Sequence, residues 1–286
     1  MKIKSKDKTW QEVRVAAEVT NNKTLQDLFQ NGHPIFGTDV HSLTATNMFR
    51  IIKNDFEFIC DNKIHKEERN VAKAMIFKIF YGGSEFTIAM DLGVDLDEAT
   101  KFYKTFFEAY PGLEENFKQT KKLALKRGWI ELDTYTKKRY FFPHFKRMQE
   151  LWDKAWSYYP EDYRSYSPDE KTAFKARLKI EAPELSDIWK EYMIYKGKLE
   201  RAALNYRIQG TSATMTKLAV ILMEKYFTHK YGVLLVVHDE VVVEFPIEHC
   251  KEKSEIVSNS MIKAGTYFCP KVPMGADSEI GDHWIH

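Results

Sequence analysis

The chain is poor in cysteine, glycine and proline, with 3, 13 and 9 of them among 286 residues. Cys60, Cys250 and Cys269 form no even framework and no metal-ligand spacing. That excludes a disulfide-stapled fold and a cysteine-based zinc module, and it fits a reducing, intracellular compartment. No internal repeat or low-complexity tract is visible. Long apolar runs are missing too. Leu218 to Met223 and Val233 to Val237, the longest, fall far short of the roughly 20 residues of a membrane span. The opening MKIKSKDK is lysine-rich without an apolar stretch, so it is no signal peptide. Charge of one sign is also absent, the net being +2 at pH 7.

What is present is core material. The chain is 44% hydrophobic and carries 6 Trp, 15 Tyr and 19 Phe, which suits one large domain or two small ones and excludes a disordered tail. The near-neutral balance hides an uneven spread. From Lys118 to Arg147, ten Lys or Arg face two acids, Glu131 and Asp133, with Trp129, Tyr135, Tyr140, Phe141, Phe142 and Phe145 among them. Such a stretch can track a phosphate backbone, and it can equally be a solvated basic helix followed by a hairpin.

Periodicity predicts a helix over 11–31 stopped by Gly32, a second over 41–53, and a third over 67–80 ended by Gly82 and Gly83. Further helices are expected over 97–110 and 113–127, the latter closed by Gly128. Residues 129–142 alternate like a hairpin. The aromatic, charged stretch 148–190, broken by Pro160, Pro168 and Pro183, reads as an insertion of short surface helices. Long helices return over 189–206 and 210–231. The clearest strand pair follows, GVLLVV and VVVEF around His238-Asp239-Glu240, then a helix over 252–266 and a last short strand within 272–286. The pattern is α+β, helix-rich with a small antiparallel sheet.

Two features carry chemistry. Asp239 and Glu240 sit at the turn of an apolar hairpin, where carboxylates are costly unless solvated, paired or bound to a cation; ordinary turn chemistry is the alternative. On the helix RNVAKAMIFKIFYGG, Arg69, Lys73, Phe77 and Tyr81 recur every four residues. Each step turns about 40°, so the four wind slowly along roughly 18 Å. Two cations followed by two rings suit a nucleoside triphosphate. A salt-bridged helix whose rings face the core would show the same spacing.

Taken together and in this order, these motifs resemble the DNA polymerase I family (family A). The family's fingers helix carries Arg, Lys, an aromatic and Tyr-Gly, as in Arg69, Lys73, Phe77, Tyr81 and Gly82. Its palm hairpin reads His-Asp-Glu, as in His238, Asp239 and Glu240. Asp7, Glu12 and Arg14 match its other metal-aspartate pattern, and Asp39 and His41 its Asp-x-His. Arg201, Asn205, Gln209, Gly210 and Thr211 match its primer–template helix.

The resemblance implies a polymerase palm and fingers without thumb or exonuclease domains: palm over 1–37, fingers over 38–147, an insertion over 148–190, and palm again over 191–286. It implies template-directed DNA synthesis by two-metal nucleotidyl transfer. Asp7, the carbonyl of Lys8 and Asp239 would hold two Mg2+ ions, with Mn2+ as a substitute, and Glu240 would support them. His41, Arg69 and Lys73 would neutralise the triphosphate, and Lys73 counts among the catalytic residues. Phe77 would pack on the deoxyribose, and Glu12 paired with Tyr81 would block a 2′-hydroxyl. Arg201, Asn205, Gln209 and His238 would touch primer–template DNA.

Three departures stand out: Lys78 where the family has Gly, the polar KIKSK before Asp7, and Trp10 and Gln11 in place of commoner residues. The expected enzyme is the catalytic portion of a split, phage-type polymerase in a bacterial cytoplasm. It would take dNTPs and primer–template DNA, with no membrane. A second polypeptide would carry the thumb and upstream palm, with or without an exonuclease. The alternatives are a single-subunit RNA polymerase relative, disfavoured by Glu12 and Phe77, and a non-catalytic DNA-binding subunit, disfavoured by intact Asp7, Lys73 and Asp239.

Overall fold

The computed structural model describes residues 2–6, of which the backbone alone is described, together with 11–228 and 230–284. Asp7 and Lys8, two of the expected metal ligands, lie outside the described residues.

The chain opens with strand β1 (Lys2–Lys6) and helices α1 (Gln11–Val19) and α2 (Lys23–Asn31). The single helix expected over 11–31 is thus two. Asn21 turns into the left-handed region at φ 51°, and the Asn22 side chain caps α2 by accepting from the Leu25 amide at 3.0 Å. α3 (Val40–Ile52) and α4 (Lys66–Phe80) follow, then α5 (Glu85–Leu92), which the sequence reading left unassigned. α6 (Leu96–Ala109) and α7 (Leu113–Arg127) complete this part. Phe80 on α4 meets Phe106 of α6 and Phe117 of α7 edge-on, with ring centroids 6.2 and 6.1 Å away. Each such pair adds about 0.5–1.5 kcal/mol beyond burial.

The hairpin β2 (Trp129–Glu131) and β3 (Arg139–Phe141) is shorter than the alternation suggested. After α8 (Phe145–Trp156), a 3-10 turn at Glu161–Ser165 and α9 (Pro168–Glu181) comes α10 (Glu184–Glu224), a single helix of 41 residues where two were expected. Gly210 does not break it. A side chain there would come within 2.9 Å of Leu132, so the glycine lets the segment after β2 lie against the helix. Thr211 Oγ1 completes the contact by donating to the Leu132 carbonyl at 2.8 Å.

β4 (Val233–Val237) and β5 (Glu240–Glu244) form the expected hairpin, followed by α11 (Cys250–Phe268) and β6 (Asp277–Gly281). The main sheet runs β4-β5-β1-β6, all neighbours antiparallel, with β1 in register Lys2↔Glu244 and Lys6↔Asp277. Only half of this apolar hairpin is buried. Val241, Val242 and Val243 of β5 are inside, whereas Leu234, Leu235 and Val236 on the edge strand β4 are exposed.

One core gathers α1 to α6, the start of α7, the C-terminal half of α10, β5 and α11. A second, aromatic-rich cluster joins α8, α9 and the N-terminal half of α10 to β2. Among the described residues no helix is long and apolar enough to cross a membrane.

Candidate active site

Asp39 organises the N-terminus of α3. Its carboxylate accepts from the amides of His41 and Ser42 at 3.1 and 3.0 Å and from Ser42 Oγ at 2.9 Å. Arg69, reaching from the first turn of α4, donates to both oxygens, Nε at 2.9 Å and Nη2 at 3.2 Å. This bidentate pair is largely buried on both sides. Burial pushes the Asp39 carboxyl up, but the hydrogen bonds from Arg69 and Ser42 and the guanidinium charge outweigh it, and the net pKa is lowered. Arg69 is therefore aimed by a carboxylate. His41, on the first turn of α3, is fully buried with its ring 6.1 Å from Phe77.

Lys73, Phe77 and Tyr81 are neighbours along α4. Lys73 Nζ lies 6.0 Å from the Phe77 centroid, and Phe77 stacks on Tyr81 at 6.3 Å with 17° between planes. Tyr81 joins three segments. Gln209 Nε2 on α10 donates to its hydroxyl at 3.1 Å. The hydroxyl itself donates to Glu12 on α1; burial, then this bond and the Glu12 charge, push the phenol pKa well up. It stays protonated at neutral pH. Gly82, at φ 81°, lets α4 end against α10, where a side chain would touch Arg201 and Leu204 at 3.4 Å. Lys78 has its own solution. Its stem runs past Gly83, which has no room for a Cβ, and its ammonium pairs with Asp91 on α5.

At the hairpin tip His238 sits at φ 54°, a left-handed conformation that costs a residue with a Cβ about 1–2 kcal/mol. Thr216 on α10 steadies it by donating to its carbonyl at 3.3 Å. The turn holds Asp239 half-buried. Burial raises its pKa and the Glu240 charge adds to this, while its own backbone hydrogen bond, His238 and Lys73 pull it down; the net shift is upward. Lys73 and Asp239, 166 positions apart in the chain, thus feel one another's charge. Glu240 is tied to the C-terminal segment. It is buried and accepts from Trp284 Nε1 at 2.8 Å.

On α10, Arg201, Asn205 and Gln209 recur every fourth residue and share one face. The Asn205 Oδ1 is buried without a hydrogen-bond partner among the described residues. Tyr206 beside it stacks on Tyr140 of β3, centroids 4.0 Å apart.

The profile of DNA polymerase family A matches residues 1–286, the whole chain. The chain belongs to that family. It is 28% identical to DNA polymerase I of Streptococcus pneumoniae and 25% identical to that of Lactococcus lactis subsp. cremoris. Both alignments run over 283 residues and cover 98% of this chain and 25% of the relative. The chain therefore spans about a quarter of the length of these curated relatives. The fold is that of the POL domain of Pol1 from M. smegmatis, in a complex with DNA primer-template and dNTP. The TM-score is 0.66 at 21% identity, over 97% of this chain and 39% of the other.

Of the expected family A site residues, Glu12, Tyr81 and Gln209 join by hydrogen bonds, His41 and Phe77 by ring contact, and Lys73 and Asp239 by charge. Arg201 lies beside Gly82. His238 offers the structure its backbone carbonyl, and its side chain is exposed. Among the described residues no three His, Cys, Asp or Glu side chains are grouped to hold a metal ion. Sequence reasoning named Asp39 as a motif member but gave it no role; a carboxylate capping a helix whose motif histidine is two residues on was the available signal. For Trp284 there was none.

Proposed function

We propose that the chain carries the nucleotidyl-transfer centre of a DNA polymerase, extending a primer 3′-hydroxyl with dNTPs on a template. The observation that carries this reading is the convergence on one helix, α4. Lys73 answers to Asp239 on the palm hairpin, and one helical turn beyond Phe77, Tyr81 is tied to Glu12 and Gln209. A triphosphate laid along α4 meets Arg69 and Lys73, with Phe77 against the sugar. The Glu12–Tyr81 pair closes the space where a 2′-hydroxyl would lie, which supports deoxynucleotides over the RNA polymerase alternative.

Asp239 has the donor chemistry for magnesium: a hard, half-buried carboxylate whose pKa burial pushes up despite the nearby His238 and Lys73. Asp239, with Asp7 and the Lys8 carbonyl, would hold the ions. When bound, they supply acidification of the primer hydroxyl and charge neutralisation at the leaving pyrophosphate. The chain's own part is positioning. Asp39 orients Arg69, the strained His238 turn presents Asp239, and the Arg201, Asn205 and Gln209 face meets the primer–template. The exposed edge strand β4 is where further palm strands would add, from this polypeptide or another.

Primer extension tests the reading. Asp239→Asn should lower extension by at least about a thousandfold, while unfolding temperature and primer–template affinity hold. Near-normal extension by that variant with magnesium would sink it.

A further inference from the structure

We propose that a cavity between α7, β2 and α10 is a phosphate-oxyanion site built on Arg207, separate from the active-site face. The cavity measures 240 Å³, and its lining includes Asn116, Gln119, Thr120, Arg127, Trp129 and Arg207. At 100° per residue, Arg207 lies about 160° around α10 from both Asn205 and Gln209, so the cavity opens away from the primer–template stripe.

Arg207 is a half-buried cation with neutral partners. Nη1 donates to Asn116 Oδ1 at 3.2 Å and Thr120 Oγ1 at 2.7 Å, and Nη2 donates to the Val19 carbonyl. No carboxylate among the described residues pairs with it. Burial pulls its pKa down, which the more distant Glu131 charge partly opposes. Glu131 also lines the cavity, but its carboxylate faces Lys137 at 3.9 Å. Across the opening, Arg127 lies over the Trp129 ring at 5.2 Å and adds a second guanidinium. Two planar guanidinium forks and the Gln119 amide lining one cavity suit a tetrahedral oxyanion, which would supply the counter-charge that Arg207 lacks.

The phosphate can come free from solution or from the backbone of single-stranded template, and two arms separate these sources. In the first, thermal unfolding of the full chain is followed in inorganic phosphate against chloride at matched ionic strength. A saturable rise in Tm is expected, lost in Arg207→Met and reduced in Arg127→Gln. This arm stands whether or not the chain polymerises nucleotides.

In the second, affinity for a primer–template with a 5′ template overhang is compared with a blunt duplex across salt. If the backbone is the occupant, Arg207→Met weakens overhang binding, and the salt slope falls by about 0.7 for the lost contact, with blunt binding unchanged. If free phosphate is the occupant, overhang binding holds and only the thermal response disappears. Should Arg207→Met not fold, the exposed Arg127→Gln carries both arms. A phosphate response and overhang binding that both survive the substitutions would overturn the proposal and leave Arg207 a packing residue.

Discussion

Replacing Asp39 separates two jobs done by one carboxylate. Asp39→Asn keeps an oxygen for the His41 and Ser42 amides, since Asn caps a helix about as well as Asp, but removes the charge facing Arg69. Hydrogen bonds to charged groups are worth about 1.5–3 kcal/mol, and this pair is largely buried, so Asp39→Asn should cost about 2 kcal/mol. Asp39→Ala also loses the cap, a further ~1 kcal/mol. Guanidinium unfolding of both variants reads these numbers.

The pH dependence has a definite sign. The folded Asp39 pKa is depressed, so the pair contributes fully above the ordinary carboxylate value near 3.9 and is lost as pH falls through the lower folded value. The gap between wild type and Asp39→Asn should be flat from about pH 5 to 8 and close below about pH 4. If Arg69 serves a triphosphate, the KM for dNTP should also rise roughly tenfold, the equivalent of ~1.4 kcal/mol. Equal stability of wild type and Asp39→Asn at pH 7, or a gap unchanged at pH 3, would refute the reasoning.

Glu12→Ala and Tyr81→Phe each cut the Tyr81–Glu12 hydrogen bond and should raise ribonucleotide incorporation at least about tenfold, a loss of ~1.4 kcal/mol of discrimination, measured as the ratio of kcat/KM values. Phe77→Tyr supplies a hydroxyl beside the sugar and should raise dideoxynucleotide use by orders of magnitude with little change for dNTPs; an unchanged ratio means Phe77 does not face the sugar. Gly128→Ala should destabilise by about 2–4 kcal/mol, because the residue sits at φ 74° and a Cβ would lie 2.4 Å from the Phe145 ring; loss below about 1 kcal/mol in denaturant unfolding argues against that packing.

Helices α3, α4, α6 and α7 were legible to within a residue or two, because each has a local start or stop. Gly128 closes α7 at φ 74°, and Gly82 ends α4 at φ 81°. The break at Asn21 was missed although Thr20, Asn21 and Asn22 are weak helix formers and Asn22 is a capping residue, because the apolar periodicity resumes at Leu25 with only this short interruption. The continuity of α10 was missed for the opposite reason. Gly210 looks like a boundary, the start of a new helix, and only Leu132 packing against it makes a mid-helix glycine useful. Likewise the continuous apolar runs of β4 and β5 look alike in sequence, and which strand becomes an edge depends on β1 arriving beside β5 alone.

The site divides the same way. The order Arg69, Lys73, Phe77, Tyr81 and the hairpin acids at 239 and 240 are properties of the sequence, since helical pitch and turn chemistry place them whatever surrounds them. That Arg69 answers to Asp39, that Glu240 is held by Trp284, and that Tyr81 bridges Glu12 and Gln209 were decided by the tertiary structure alone. Those partners lie 30 to 128 positions apart along the chain, so local propensity is blind to them. Only close packing of α1, α3, α4 and α10 brings their charges and hydroxyls within hydrogen-bond reach.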